Sequence, residues 1–598
     1  MRVSDYIAAK LSEYGVRHVF MVTGGGAMFL NYALGKHSQI TPIFNHHEQA
    51  CAMAAEGYAR ITNQPGVVNV TTGPGSINAL NGVYGAFTDS IPMLILSGQV
   101  KRETYIRTYD LPNLRQLGDQ EVDIVAMVRG ITKYAVTVTD PQTIRYHLEK
   151  AWQLAQTGRP GPCWLDIPID VQSSQVDDSK LDGYTSDSKP KSDSAELESS
   201  VAETLARLRN AQRPVILAGT GIRLAGAVDV FNRVIHKLGI PVTTGWTHDL
   251  IASDDPVFAG RPGTIGTRPG NFAVQNSDVL LVIGNRLNIR QTGYAFKSFA
   301  RAAYKIWVDV DPAELHRPTI RPDMPIVSDA KSFLEEMERQ VDSWDAIQFS
   351  NWLAWCKEKE SRYPAVLPRH REFKGKINPY HFIEVLFDNL ETDDTVVTGN
   401  ATACIVSFQA ARLKLGQRLF SNSGSASMGY DLPASIGAAV ARDGKRVVCL
   451  AGDGSLQMNV QELQTVVQYN LPLKLFVLNN NGYLSIRTSQ KGFFGDVVGE
   501  SPESKVSFPN TEKLAQAYGL PYVRLHTQDF GSDLCRALDI HGPAVCEVIL
   551  DPAQGFEPRQ SSRQLPDGRI VSAPLEDMFP FLERAELLEN LLIPPWEE

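Results

Sequence analysis

The 598-residue chain reads as an α/β protein, three doubly wound parallel-sheet domains followed by a C-terminal tail. Its length is the first reason: one hydrophobic core cannot grow that large, and the size suggests about three or four domains. The second is the recurrence, in three separate blocks, of short β-rich runs alternating with helical patterns, as a parallel sheet requires. The third is a pair of polar stretches that divide those blocks.

The first block spans residues 1–172. A helical pattern at Tyr6–Tyr14 precedes β-rich runs at His18–Val22, Ile40–Phe44, Gly66–Thr71 and Met93–Leu96, and the block ends in Trp164-Leu165-Asp166-Ile167-Pro168. Residues 173–200 are rich in Ser, Asp and Lys and read as a linker. A second block, 201–340, has strands at Pro214–Leu217, Val279–Ile283 and Lys305–Val308. A charged, Trp-bearing stretch, 341–375, reads as a second linker. The third block, 376–551, has strands at Thr395–Val397, Arg446–Leu450 and Leu473–Leu478. Residues 552–598 have little strand character and are expected to pack as a tail over the third block or a neighbouring subunit.

Composition narrows the function. Apolar residues at 43% and charged residues at 21% are ordinary for a globular protein, and a net charge of -9 gives no nucleic-acid footprint. Neither a signal peptide nor a membrane span is visible; the longest apolar runs are strand-length. The 7 cysteines form no C-x-x-C pair, which suits buried thiols in a reducing compartment, so a cytoplasmic location is expected.

The strongest motif lies in the third block. The strand Arg446–Leu450 runs into Ala451-Gly452-Asp453-Gly454-Ser455, and the strand Leu473–Leu478 ends in Asn479-Asn480-Asn481-Gly482. A carboxylate in a glycine turn at a strand end can hold Mg²⁺ or Ca²⁺, and flanking glycines let backbone N–H groups approach phosphate oxygens. Asn480, at the end of an expected neighbouring strand, can add an amide oxygen. A lone Gly-Asp-Gly is more often only a turn; the paired asparagines change that balance. In the first block, Asn45-His46-His47-Glu48-Gln49-Ala50 follows a strand and opens a helix containing Ala54-Ala55-Glu56-Gly57-Tyr58-Ala59-Arg60. Read alone, Glu48 is a surface helix cap.

Together these motifs resemble those of thiamine-diphosphate enzymes, and residues 1–550 resemble the acetohydroxyacid (acetolactate) synthase branch. Further matching pieces are Gly24-Gly25-Gly26-Ala27, Thr72-Gly73-Pro74-Gly75-Ser76-Ile77-Asn78, Asp89-Ser90-Ile91-Pro92, Ser97-Gly98-Gln99-Val100, Gly158-Arg159-Pro160-Gly161-Pro162, Ser427-Met428-Gly429-Tyr430 and Leu432-Pro433-Ala434. The resemblance implies thiamine diphosphate and Mg²⁺ as cofactors, with Asp453, Asn480 and the Gly482 carbonyl as metal ligands. It makes Glu48 the catalytic carboxylate that hydrogen-bonds N1′ of the aminopyrimidine, and Met428 the prop for the cofactor's bent shape. Gly26 and Gln120 would lie near the reacting carbons. Gly25, Pro74 and Asn78 in the first block, and Asn400, Ala426, Gly452, Gly454, Ser455, Tyr483 and Leu484 in the third, would complete the cofactor contacts.

In the middle block, Gly219-Thr220-Gly221, Gly284-Asn285-Arg286-Leu287-Asn288-Ile289-Arg290-Gln291-Thr292-Gly293 and Val308-Asp309-Val310-Asp311-Pro312 are similar to FAD-holding segments of the same family. Gly219, Gly221, Arg286, Arg290, Thr292 and Asp309 would serve there, the alternative being a dinucleotide fold without its ligand. The resemblance also implies a homodimer or homotetramer with active sites at the subunit interface.

The implied reaction is decarboxylation of pyruvate or a similar 2-keto acid, with transfer of the acyl fragment to an acceptor carbonyl. Departures from the family bear on the acceptor: Asp119 replaces a phenylalanine, and Ser485 and Ser489 replace a methionine and a tryptophan. Arg487 between them either points to solvent or, facing the pocket, pairs with a carboxylate or phosphate. Ser561-Ser562-Arg563 and Ala573-Pro574-Leu575-Glu576-Asp577-Met578 resemble a side branch associated with surface-polysaccharide sugars, which makes a keto-sugar nucleotide or another bulky ketone the alternative acceptor. Other readings are a flavin-linked pyruvate oxidase, a simple decarboxylase and a non-catalytic regulatory protein; no G-x-G-x-x-G supports a nicotinamide dehydrogenase.

Overall fold

The computed structural model describes residues 1–597 except 110, 112, 186–193, 246–248, 342–343, 373–374 and 565–566. The first sheet holds β1 (His18–Met21), β2 (Thr41–Phe44), β3 (Gly66–Val70), β4 (Met93–Gln99), β5 (Tyr134–Thr137) and β6 (Pro162–Pro168), in the order β2-β1-β3-β4-β6-β5. Every pairing in it is parallel. The central strands β3, β4 and β6 are buried at every position, as expected of parallel strands covered on both faces by helices. Asp166, inside β6, is tolerated because Ser97 and Thr137 donate hydroxyl bonds to it and Gln99 donates an amide bond, while burial pushes its carboxyl up to about 7.

The central sheet holds β7 (Pro214–Ala218), β8 (Val242–Thr244), β9 (Val279–Ile283), β10 (Tyr304–Asp309) and β11 (Met324–Val327), ordered β11-β10-β9-β7-β8. The third sheet holds β12 (Thr395–Thr398), β13 (Arg418–Phe420), β14 (Val447–Gly452), β15 (Leu473–Asn479), β16 (Tyr522–Leu525) and β17 (Ala544–Ile549), ordered β13-β12-β14-β15-β17-β16. Counted from its own first strand, the third sheet has the same strand order as the first. The chain uses one topology twice without a repeat visible in its sequence.

In each sheet the strand order reverses direction beside the first strand, between β1 and β3, between β7 and β9, and between β12 and β14. Such switch points leave a crevice at the carboxyl ends of the strands, where ligands bind in open α/β sheets. Several of the expected cofactor segments fall there: Gly24–Ala27 and Thr72–Asn78 in the first sheet, Gly219–Gly221 and Gly284 in the second, Asn400 and Gly452–Ser455 in the third; Asp309 ends β10 and Asn480–Gly482 follow β15, one strand further along their sheets.

First and third domains are joined through the helices Glu48–Thr62 and Asp431–Ala441. These cross so closely that an added Cβ at Gly57 would lie 2.2 Å from the Ala434 carbonyl oxygen, and one at Gly437 1.8 Å from that of Ala54. Beside the crossing, the guanidinium of Arg60 pairs with Glu56 at 2.6 Å and Asp89 at 2.7 Å, and Tyr430 donates its hydroxyl to Glu56. The charged side chains here are at most 9% exposed, so the ion pairs are screened little by solvent.

The structure differs from the sequence reading in two stretches. Residues 341–375, read as a linker, contain the helix Ser350–Arg362, whose Trp352 packs under the central sheet and donates its indole N–H to the Pro214 carbonyl at 3.0 Å. Its tryptophans stack on each other and anchor a segment whose charge suggested solvent. Of the first linker, 173–200, residues 186–193 lie outside the described ones, and a helix already begins at Ser194.

The tail leaves the third domain at Glu557, whose backbone N–H reaches the Tyr380 hydroxyl, and then lies along the central domain. There Gln275 and Arg301 bind Glu576, and Asn276 donates to the Asn590 carbonyl at 2.9 Å. Leu575 and Met578 are buried in that contact. The tail thus covers mainly the central block rather than the third, and carries a short antiparallel hairpin of β18 (Ser562–Gln564) and β19 (Ile570–Ser572). Among the described residues, no helix is long and apolar enough to cross a membrane.

Candidate active site

The expected site residues fall into two clusters on different sheets. In the first, Glu48 is the first residue of the helix Glu48–Thr62, where the helix dipole favours a carboxylate. The His47 ring caps that helix by accepting the Gln49 backbone N–H at 3.0 Å. Glu48 Oε2 accepts from Asn78 Nδ2 at 3.0 Å, and its other oxygen lies 3.2 Å from where a Cβ on Gly75 would stand. Gly26 is fixed by its N–H to Thr71 Oγ1 at 3.1 Å and by Gln172 Nε2 on its carbonyl at 2.7 Å. Gly25 and Pro74 are exposed on the same rim.

Gln120 adopts φ 59°, and its carbonyl packs on Gly73, where a Cβ would come within 2.1 Å of the oxygen. The loop holding it is organised by Glu121, whose carboxylate accepts the N–H groups of Leu117 and Gly118, each at 2.8 Å, and of Ile106. Asp119 and Gln120 both face solvent. Glu121 and Thr71 are site residues that sequence reasoning missed. Neither sits in a motif, and each acts on a neighbour's backbone.

In the third domain Asp453 starts a short helix after β14. Its carboxylate accepts the N–H of Gly454 at 2.8 Å and of Gly482 at 3.0 Å, so the two strand-end turns are tied through this one side chain. Asp453 is 8% exposed, and burial pushes its carboxyl up to about 6. Asn480 donates its amide to Thr402 Oγ1 at 3.1 Å, which fixes the orientation of the side chain and leaves Oδ1 buried with no donor among the described residues. A buried acceptor without a partner costs about 1–3 kcal/mol. A hard cation held by a carboxylate, an amide oxygen and a backbone carbonyl removes that cost and the desolvation penalty on Asp453 together, leaving the remaining coordination to phosphate and water. These residues fit a divalent cation with a diphosphate.

The surrounding residues build the phosphate turn. The Tyr483 ring packs against Gly454, where a Cβ would meet it at 2.2 Å, and the next residue, Leu484, is buried. Asn400 Nδ2 donates to the Ala426 carbonyl at 3.2 Å, tying the turn after β12 to the loop that carries half-buried Met428. Ser455 uses its hydroxyl internally: it accepts the Gly429 N–H at 2.8 Å and donates to Asp431. Only its backbone is therefore left for a phosphate, the Gly454 N–H being already given to Asp453. Asp431, fully buried and with its carboxyl raised to about 6 by that burial, was not foreseen because its partner is distant in sequence.

The acceptor-side candidates separate. Ser485 and Ser489 lie one turn apart on the helix Leu484–Phe494, with Ser489 Oγ donating to the Ser485 carbonyl at 2.9 Å. Arg487 takes neither of its expected places. Its guanidinium is turned back onto the chain, against Glu500 and the carbonyls of the asparagine loop.

The central domain contributes a cavity of about 840 Å³ with walls from all three domains. Gly219, Gly221, Arg286, Arg290 and Asp309 line it, together with Arg60, Asp89 and Ser421. Thr292 is not among the lining residues; it is buried, and its hydroxyl turns to the Asn288 carbonyl at 3.3 Å. Gly219 and Gly221 are required by packing alone, since a Cβ on Gly219 would lie 2.1 Å from the Gly284 oxygen and one on Gly221 2.7 Å from the Gly284 Cα. Burial raises the Asp309 carboxyl to about 6, and Arg159 at the rim pairs with Asp311 at 3.1 Å and Glu314 at 2.6 Å.

Comparison with known proteins agrees with this arrangement sheet by sheet. Residues 1–127 match the thiamine pyrophosphate enzyme N-terminal TPP-binding domain, 201–337 the central domain, and 398–548 the C-terminal TPP-binding domain. The chain is 32% identical over 581 residues to a probable acetolactate synthase large subunit of Methanocaldococcus jannaschii, covering 93% of each protein. It is 32% identical over 566 residues to the chloroplastic acetolactate synthase 1 of Nicotiana tabacum, covering 92% of this chain and 81% of that one. It is 35% identical over 492 residues to a probable chloroplastic acetolactate synthase 2 of Oryza sativa subsp. japonica, covering 80% of this chain and 71% of that one. The glycine turns at the three switch points, the Asp453–Asn480 pair and these full-length matches lead to one conclusion: the chain belongs to the acetolactate synthase-like family of thiamine pyrophosphate enzymes.

Proposed function

We propose that this enzyme decarboxylates pyruvate and joins the remaining two-carbon fragment to an acceptor carbonyl, as an acetolactate synthase-type carboligase dependent on thiamine diphosphate and Mg²⁺. The observation that carries this reading is the buried Asp453 carboxylate tied to the end of the next strand, where Asn480 Oδ1 has no donor among the described residues. When bound, thiamine diphosphate supplies an acidic thiazolium carbon that adds to the keto group, and a ring that accepts the electrons left by departing CO₂.

The chain's own residues bind, orient and hold protons. Asp453, Asn480 Oδ1 and the Gly482 carbonyl would hold the cation, and the backbone of the Gly452–Ser455 turn would approach the phosphate oxygens. Met428, on a loop fixed through Asn400 and Ser455, is the side chain that would prop the cofactor's bend. Glu48, steadied by Asn78, hydrogen-bonds N1′ of the aminopyrimidine and so tunes the basicity of the cofactor's own amine. Gly26 and Gln120 form the rim over the reacting carbons.

The Glu48 and Asp453 clusters belong to different sheets, and the segments around Glu48 expose Phe44, Ile77, Tyr84 and Phe87. An apolar rim of this kind suits a second copy of the chain. We take the working enzyme to be a homodimer or homotetramer in which one chain's first sheet faces its partner's third.

On the acceptor side, the serines at 485 and 489 leave room that a second pyruvate does not need, which supports a keto-sugar nucleotide or another bulky ketone as the alternative acceptor. The test is whether protein supplied with thiamine diphosphate, Mg²⁺ and pyruvate makes a carbon–carbon bonded product, alone or only with such an acceptor. A non-catalytic protein would show neither.

The central cavity is of a size and lining that suits FAD in a structural role, with Arg286 and Arg290 toward the pyrophosphate and Asp309 toward a ribose. The purified protein is then expected to carry flavin absorbance that Arg286→Ala diminishes and that pyruvate, without oxygen, leaves unbleached. Bleaching by pyruvate would instead mark a flavin-linked oxidase, and flavin content unaffected by the substitution would remove Arg286 from the site.

A further inference from the structure

We propose that Arg487 is a positioning residue for the cation-binding loop, and not part of the acceptor pocket. This rests on the reading of Asp453, Asn480 and Gly482 as cation ligands.

The argument starts from the backbone. After β15 the chain leaves the sheet through Asn481 at φ 58° and Gly482 at φ 138°, so its carbonyls lose the ladder partners they would have had in a strand. One side chain replaces them. Arg487 Nη2 donates to the Asn481 carbonyl at 2.8 Å and Nη1 reaches the Asn480 carbonyl at 3.4 Å. Nη1 also reaches the Pro552 carbonyl at 3.3 Å, where the chain departs toward the tail. The Nε donates to Glu500 Oε2 at 2.8 Å.

The Glu500 side chain is 4% exposed, and its own backbone closes the other side of the loop. Its carbonyl accepts the Tyr483 N–H at 2.8 Å and presses so close to Gly482 that a Cβ there would lie 2.1 Å away. The fork of donors on a guanidinium can serve several carbonyls and a carboxylate at once, whereas an ammonium offers a single point. With the backbone carbonyls of Asn480 and Asn481 bound in this way and the Asn480 amide held by Thr402, the loop is fixed at three points, and Asn480 Oδ1 is left buried with no donor among the described residues. Four of the arginine's five N–H donors are spent on the chain, and a single Nη2–H is left, too few for a bidentate grip on an acceptor's carboxylate or phosphate.

The experiment compares wild type with Arg487→Lys and Glu500→Gln. Calorimetry measures binding of thiamine diphosphate with Mg²⁺, and paramagnetic resonance follows Mn²⁺ as the probe; KM values for pyruvate and acceptor are recorded at saturating cofactor. Both variants are expected to weaken cation and cofactor binding by about 10–100-fold, the range for losing an outer-shell partner, with substrate KM values unchanged. The double variant is expected to be little worse than either single one, because each breaks the same clamp. Unchanged cation affinity with a raised acceptor KM in Arg487→Lys would overturn the proposal. If Arg487→Lys fails to fold, Glu500→Gln alone decides by the same criterion. Asp453→Asn serves as the control: if it too leaves Mn²⁺ binding intact, the ligand reading itself is wrong, whereas loss there with no effect at Arg487 rejects only the clamp.

Discussion

Replacing Glu48 with Gln is expected to lower kcat by about 10²–10⁴-fold while cofactor binding stays close to wild type. The amide oxygen can still accept the Asn78 bond that now goes to Glu48 Oε2, so the local structure is kept. Losing a charge from the first turn of the helix Glu48–Thr62 costs only about 0.3–1 kcal/mol of stability. What disappears is a carboxylate able to take up or share a proton at N1′ of the aminopyrimidine. On the proposed reading the diphosphate would anchor on the third sheet, so binding measured by calorimetry is expected to survive. Turnover equal to wild type would remove Glu48 from the catalytic machinery.

Asp453→Asn is expected to have the opposite signature. Cofactor and Mg²⁺ affinity should fall by more than the roughly 10–100-fold that an outer-shell partner is worth, since a ligand charge is lost outright. Without ligands, the variant is expected to lose some stability: the two oxygens of the Asp453 carboxylate accept the N–H groups of Gly454 and Gly482, whereas an amide offers one oxygen and sets an NH2 group against the other donor. The measurement is thermal unfolding with and without thiamine diphosphate and Mg²⁺. Wild type is expected to gain stability from the ligands by mass action, and the variant to gain little. Equal ligand-induced shifts in both proteins would contradict the assignment.

The placement of Asp453 and Asn480 side by side was legible in the sequence for a physical reason. Asp453 and Asn480 stand at the ends of adjacent parallel strands, and glycine turns after β-rich runs mark such ends from local pattern alone. The groups that orient them were not legible. Thr402 fixes the Asn480 amide across a long stretch of chain, Ser455 is occupied by Asp431, and Arg487 folds back onto carbonyls. Each depends on which side chain meets which backbone, and spacing does not carry that information. The fold shows the same division. The α/β class and nearly all the strands that position the site followed from periodicity. The helix Ser350–Arg362 was hidden because charge dominated its composition while Trp352 supplied the anchor. The tail's course over the central domain depends on buried contacts such as Glu576 with Gln275 and Arg301, which no local rule connects. The matching strand orders of the first and third sheets are likewise a property of topology that the residues do not repeat.

The most direct measurement of the central claim is the carbon balance of the reaction. Purified protein is incubated with thiamine diphosphate, Mg²⁺ and pyruvate, alone and with a keto-sugar nucleotide, while CO₂ is quantified and products are identified by mass spectrometry. The account predicts that every CO₂ released is matched by a two-carbon fragment joined to an acceptor carbonyl, as acetolactate from pyruvate alone or as a branched sugar when the larger ketone is present. CO₂ matched by free acetaldehyde or acetate, or no pyruvate consumption with either acceptor, would contradict it.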